Sequence, residues 1–192
     1  HFSYDLAMFR YVQIDFLNDP VWVYFRIIIV SIFLSVVGMG LYISYNKKLL
    51  FNKLIRRSMT LSISAISISI VTFIMFPNQW IYFGIIHFIV IASIIGSCFV
   101  KIPFMSLIIG ISIILLSNFD VINLNFLMRY AIETIGIPNA TMDLVPLFPW
   151  LGVVLIGIYL QYQRLYGLQF KQSYIKNILS YMGKKSLLIY LI

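Results

Sequence analysis

The chain has 192 residues, 61% of them hydrophobic and only 10% charged, with a mean hydropathy of +0.97 and a net charge of +8. A soluble domain is about 25% charged and at most about half apolar, so composition excludes a soluble globular protein. At about 20 apolar residues per membrane crossing, this length holds about six or seven helices with short connections and leaves little for a separate soluble domain.

In chain order, residues 1–11 read as the end of a helix, followed by a polar turn holding Asp15, Asn18, Asp19 and Pro20. Residues 22–45 form the first complete span, and residues 46–57 carry Lys47, Lys48, Lys53, Arg56 and Arg57 with no acid. Residues 58–76 span back, Pro77-Asn78-Gln79-Trp80 turns, and residues 81–100 span again. Lys101 and Pro103 mark a tight turn before the span 104–117; a longer segment, 118–146, precedes the span 147–162. Residues 163–185 are polar and basic, and a last helix begins near Ser186. The expected fold is an all-α polytopic transmembrane bundle, five complete spans plus a truncated helix at each end. Residues 1–192 are expected to make one domain, read as the core of a longer membrane protein trimmed at both ends.

Loop charge orients such an array, because Lys and Arg collect in short cytoplasmic loops. With residues 46–57 inside, alternation also puts Lys101 and residues 163–185 inside. That assignment covers all 14 basic residues except Arg10, Arg26 and Arg129, and leaves all six acids, Asp5, Asp15, Asp19, Asp120, Glu133 and Asp143, on or near the outer side. The positive charge is therefore an orientation signal, with the basic loops in the cytoplasm. A nucleic-acid partner needs a basic patch on a water-exposed fold, which this pattern lacks. The single cysteine, Cys98, forms no internal disulfide, and no CxxC or His/Cys cluster suggests a metal site.

Within residues 118–146, Leu124, Leu127, Met128, Ala131, Ile132 and Ile135 recur at helical spacing opposite Asn125, Arg129 and Glu133, the pattern of a short outer interfacial helix. Arg129 and Glu133 at i and i+4 form a solvated pair contributing a few tenths of a kcal/mol. Asn139-Ala140-Thr141 matches a glycosylation sequon that is common by chance. Ser62, Ser64, Ser67 and Ser69, like Gly38 and Gly40, read as residues that let helices pack closely.

Ionisable side chains at membrane depth cost about 2.5 to 3.5 kcal/mol, so they mark cavities or partners. Four are placed there: His1, Asp5, Arg26 and His87. His87 lies six residues into its span, about 9 Å deep, and His1 about 13 Å deep, both in the outer half of the bilayer. His1 and Asp5 share a helix face at i and i+4. A carboxylate beside an imidazole fixes its tautomer and prepares the other ring nitrogen for proton abstraction or nucleophilic attack. A structural His–Asp hydrogen bond explains the same spacing, and both readings stay open. Taken alone, His87 fits a packed, hydrogen-bonded histidine, and Arg26 can snorkel to the nearby interface.

Several segments resemble one family: His1-Phe2-Ser3-Tyr4-Asp5-Leu6, Arg26 with Phe33-Leu34-Ser35-Val36-Val37-Gly38, and Phe76-Pro77 followed by Tyr82-Phe83-Gly84-Ile85-Ile86-His87-Phe88. Asp143-Leu144-Val145-Pro146-Leu147-Phe148-Pro149-Trp150-Leu151-Gly152 and Gly183-Lys184-Lys185-Ser186-Leu187-Leu188-Ile189-Tyr190-Leu191 complete the set. In order and spacing it resembles the bacterial membrane proteins related to the catalytic domain of heparan-alpha-glucosaminide N-acetyltransferase. The resemblance implies a transmembrane acyltransferase that takes an acetyl group from cytoplasmic acetyl-CoA to an acceptor on the other side. It implies a catalytic role for His1, oriented by Asp5, and an acceptor cavity lined by Arg26 and His87 with Asp143 and Trp150 at its mouth. Lys47, Lys48, Arg56 and Arg57 would attract the phosphates of CoA, although for any one of them positive-inside orientation is the simpler account. At Gly84 to Phe88 the match is to the bacterial relatives rather than the lysosomal enzyme, which points to a cell-wall or exopolysaccharide sugar as acceptor. The implied partners are the lipid bilayer, acetyl-CoA and that sugar; a homo-oligomer is compatible with these features. A proton-coupled transporter or flippase using His1, Asp5 and His87 as a relay is the alternative. A non-catalytic scaffold is a third.

Overall fold

The computed structural model describes residues 11, 19–47, 51–119, 141, 143–163 and 181. Among them there are five helices and no strand: α1 (Pro20–Tyr45), α2 (Phe51–Met75), α3 (Ile85–Phe99), α4 (Pro103–Asn118) and α5 (Leu147–Tyr162). Each corresponds to one expected span, and the described residues form an all-α helix bundle. α1 and α2, with 26 and 25 residues, are long and apolar enough to cross a membrane. α3, α4 and α5, with 15, 16 and 16 residues, are apolar but shorter than the roughly 20 residues of a straight crossing. The expected helices at the two ends, the interfacial helix around Leu124 to Ile135 and the basic stretch following Gln163 lie outside the described residues, Tyr181 excepted.

The helix ends follow local chemistry rather than hydropathy. α1 starts at Pro20, two residues before the expected Trp22, because the Asp19 carboxylate accepts the Val21 N–H at 3.0 Å and proline suits the first helical position. α2 starts at Phe51, not at Ser58. The basic residues Lys53, Arg56 and Arg57 are good helix formers with no Gly or Pro among them, so the helix begins before the apolar run does. α3 starts at Ile85 rather than residue 81, because residues 76–84 form an irregular loop that ends on the extended Gly84. His87 is consequently the third residue of its helix, in the first turn rather than the second.

α5 sits between α1 and α4 and packs on α3 as well, while α2 touches only α3 among the described helices. Glycines set the closest approaches. A Cβ on Gly38 would stand 2.0 Å from the Val154 carbonyl oxygen, and one on Gly157 would stand 2.3 Å from that of Ser35, so α1 and α5 meet backbone to backbone. Gly110 and Gly152 do the same for α4 and α5, where the Ser106 hydroxyl also donates to the Leu155 carbonyl. Without a hydrophobic driving force between helices in lipid, such small-residue contacts supply the van der Waals packing that holds a bundle together. Gly38 thus has the expected packing role; Gly40 does not, since a Cβ there would meet nothing within 4 Å. Leu34, Leu41, Phe88, Ala92, Val154, Leu155 and Ile158 fill the fully buried centre.

Alternating helix directions sort the charges. Lys101, just past α3, donates through Nζ to the carbonyl of Asn46 just past α1, which joins the basic end of the bundle. Asp19 and Asp143 lie at the opposite end, beside the starts of α1 and α3.

Candidate functional site

At the acidic end the polar side chains meet where the last turns of α2, the loop 76–84, the start of α3 and the segment 143–146 before α5 come together. Two hydroxyls on α2 hold the loop. Ser69 donates to the Ile81 carbonyl at 2.7 Å, and Thr72 accepts the Ile81 N–H at 3.1 Å while donating to the Ile68 carbonyl at 2.8 Å. Ile81 is thereby clamped on both of its main-chain polar groups.

His87 completes this arrangement. The Gly84 N–H donates to Nδ1 at 3.3 Å, so Nδ1 is an acceptor and the hydrogen of the neutral ring sits on Nε2. Nε2 lies 3.1 Å from the Ser69 oxygen, which is free to accept because its own hydrogen goes to Ile81. The imidazole therefore links α2 to α3 in one defined tautomer, as expected of a packed, hydrogen-bonded histidine. Phe83 lies beside it, with ring centroids 6.2 Å apart.

Asp143 stands against the same turn. Its Oδ2 accepts the Ile85 N–H at 3.0 Å, satisfying one of the free donors at the positive end of α3, and its charge acts on His87. A side chain on Gly84 would exclude it, because a Cβ there would be 2.5 Å from Oδ2. The neighbouring chain is strapped down as well: Thr141 donates to the Trp80 carbonyl at 2.9 Å, and the Val145 N–H donates to the Phe83 carbonyl at 3.3 Å. Trp80 stacks edge-on between Phe73 and Tyr82, at centroid distances of 5.7 and 5.8 Å. The Tyr82 hydroxyl is buried with no hydrogen-bond partner, and burial pushes its pKa up. This end thus gathers a half-buried carboxylate and aromatic faces around an imidazole whose two nitrogens are both engaged within the protein.

Of the expected site residues, the structure brings His87 and Asp143 together. Trp150 is half-buried on α5, packed against the core. Arg26 is exposed on the second turn of α1 and takes no part in the hydrogen-bond network around His87. Lys47 and Arg56 are exposed and Arg57 is half-buried at the opposite end, about 22 Å away by the length of α3. His1, Asp5 and Lys48 lie outside the described residues.

Ser69, Thr72, Thr141 and Trp80 belong to the site and were not legible as such. Ser69 stood out only as one of four serines read as packing residues; its partner is 18 positions away across an irregular loop, a separation that carries no periodic signal.

The family described as heparan-alpha-glucosaminide N-acetyltransferase, catalytic, matches residues 1–192. No curated protein and no solved structure matches the chain.

Proposed function

The chain belongs to the heparan-alpha-glucosaminide N-acetyltransferase catalytic family, and from that premise we propose that it carries an acetyl group from acetyl-CoA at its basic end to a sugar acceptor at its acidic end. The observation that carries this reading is the separation of charge along one bundle. Lys47, Arg56, Arg57 and Lys101 gather at one end with no acid between Asp19 and Asp120, while His87 and Asp143 meet at the other. An anionic donor and a hydroxyl-rich acceptor are the ligands these two ends suit.

Transfer breaks the thioester C–S bond, joins the acetyl carbonyl carbon to an acceptor oxygen or nitrogen, and returns CoA as its thiol. The resemblance gives the acceptor's proton to the imidazole of His1, with Asp5 fixing that ring. The acetyl group either passes through the His1 imidazole or moves directly within a ternary complex. Lys47, Lys48, Arg56 and Arg57 concentrate positive charge where the CoA phosphates approach. Arg26, Asp143 and Trp150 orient the acceptor, and His87 holds the loop that shapes its side of the cavity. The acceptor is a cell-envelope sugar, and the basic end faces the cytoplasm.

The test is turnover of radiolabelled acetyl-CoA by the full-length protein in proteoliposomes. Acetyl release or transfer by the wild type, abolished by His1→Ala with unchanged helical content, is expected. Absence of both binding and turnover in the wild type refutes the enzyme reading.

A further inference from the structure

His87 ties α2, α3 and the loop 76–84 together through both of its ring nitrogens. Nδ1 accepts the Gly84 N–H at 3.3 Å, and the Nε2–H donates to the Ser69 oxygen at 3.1 Å. That arrangement admits one protonation state. A second ring proton would sit on Nδ1 and face the Gly84 N–H, donor against donor, where the neutral ring makes a bond. The imidazolium can keep Ser69 as its acceptor, but it cannot keep Gly84.

The groups around the ring decide where the cation turns. On α2 the basic residues Lys53, Arg56 and Arg57 lie at the opposite end, so that helix offers His87 the Ser69 hydroxyl and no charge. α4 holds no titratable side chain, and neither do the first three turns of α5. On α1, Asp19 caps its own helix, while Tyr24 and Arg26 are exposed. The loop contributes Tyr82, a phenol that stays neutral wherever an imidazole titrates. That leaves Asp143, whose charge acts on the ring and whose Oδ2 accepts the Ile85 N–H at 3.0 Å. A charge-assisted bond from the imidazolium to this carboxylate competes with the Ile85 cap. One proton therefore takes the acceptor from the Gly84 N–H and draws on that of the Ile85 N–H, the two amides at which the loop passes into α3.

We propose that His87 is a pH-sensitive latch: neutral, it fastens the loop 76–84 to α2 and α3, and protonated, it turns from Gly84 toward Asp143 and releases the loop. The fastened form is complete above the titration range of an imidazole, about pH 6.5 in water, and is lost as the pH falls through that range. At pH 5 a free imidazole is protonated about thirtyfold over neutral, so a fastened form that excludes the proton becomes about thirtyfold easier to open. The consequence for acceptor binding rests on the reading of the acidic end as the acceptor side; the latch itself does not.

The experiment is hydrogen exchange of full-length protein in nanodiscs, read by mass spectrometry on peptides spanning residues 76–88 from pH 8 to pH 5, with exchange times scaled to the intrinsic rate. Protection at Gly84 and Ile85 is expected to fall about thirtyfold in a single-proton step, while peptides from α5 stay unchanged. His87→Asn carries an oxygen that can accept the Gly84 N–H in place of Nδ1 and takes no proton, so its protection should not vary with pH. Asp143→Asn deprives the cation of its partner and should move the step to lower pH. Equal wild-type protection at pH 8 and pH 5 overturns the proposal, as does a step that survives in His87→Asn or one that Asp143→Asn leaves in place. The acceptor KM over the same pH range reads the consequence for binding, and it should rise as protection falls; a constant KM overturns that consequence. A wild type that fails to turn over acetyl-CoA refutes the acetyl-transfer reading alone, because the exchange step is measured without substrate.

Discussion

Asp143 is the residue whose replacement separates position from charge at the acidic end. Asp143→Ala removes the acceptor of the Ile85 N–H and leaves the first turn of α3 with a partly buried, unpaired donor. A hydrogen bond to a charged group contributes about 1.5 to 3 kcal/mol, and a carboxylate at a helix N-terminus about 0.3 to 1 kcal/mol more, with the lower ends appropriate to a half-exposed residue. The expected loss is therefore about 2 kcal/mol. At about 2 to 4 °C per kcal/mol for a chain of this size, the thermal midpoint in detergent should fall by about 4 to 8 °C. Asp143→Asn keeps an oxygen that can accept from Ile85 and removes only the charge, so it should recover most of that stability. If the carboxylate also orients the acceptor, both variants raise the acceptor KM while leaving the KM for acetyl-CoA unchanged. The two measurements are independent: thermal unfolding reads the cap, and the KM pair reads the site. Wild-type stability in Asp143→Ala would refute the capping argument, and equal effects on both KM values would refute the assignment of Asp143 to the acceptor end.

Gly157→Ala places a methyl group 2.3 Å from the Ser35 carbonyl oxygen and must push α1 from α5. A destabilisation of about 1 to 3 kcal/mol is expected by thermal or denaturant unfolding, against a negligible effect of Gly40→Ala, whose Cβ meets nothing within 4 Å. Ser69→Ala leaves the Nε2–H of His87 and the Ile81 carbonyl without their partner and should cost about 1 to 3 kcal/mol; Ser69→Thr, which keeps the hydroxyl, should cost less. In a Cys98→Ser background, made necessary because Cys98 is exposed, cysteines at Lys101 and Lys47 should react with a membrane-impermeant thiol reagent from the same face, and a cysteine at Trp80 from the other. Labelling of Lys47 and Lys101 positions from opposite faces would break the topology.

Much of the architecture was legible because hydropathy and loop charge act over whole segments. Five apolar runs became five helices, and the distribution of Lys and Arg matched the end at which Lys101 meets Asn46. The helix starts were less legible. Hydropathy marks where lipid begins, whereas α2 continues through Arg56 and Arg57, and α3 waits for the cap formed by Gly84 and Asp143. The partners of His87 were illegible for a different reason. Its contacts run through the backbone of Gly84 and through Ser69, whose serine neighbours Ser64 and Ser67 bond only to their own helix carbonyls. Nothing in residue type tells Ser69 from them; only the fold of the loop does.

That distinction bears on how the acidic end keeps its shape. Ile81, Phe83, Gly84 and Ile85 are all held through main-chain groups, by Ser69, Thr72, Val145, His87 and Asp143. The outward-facing side chains of the loop are thereby freed from structural duty. Trp80 can face a ligand while the backbone beneath it stays in place. Gly152 and Gly157 lock α5 against α4 and α1, and Val145, just ahead of α5, carries that rigidity to Asp143 and the loop. A site built in this way is preorganised by packing deep in the bundle, so substitutions at the distant glycines should change acceptor binding as well as stability. For Gly157→Ala the consequence is concrete: a rise in acceptor KM accompanying the stability loss, with the wild-type value retained at Gly40→Ala. A Gly157→Ala protein that is destabilised yet keeps its acceptor KM would show that the loop is fixed by its own hydrogen bonds alone.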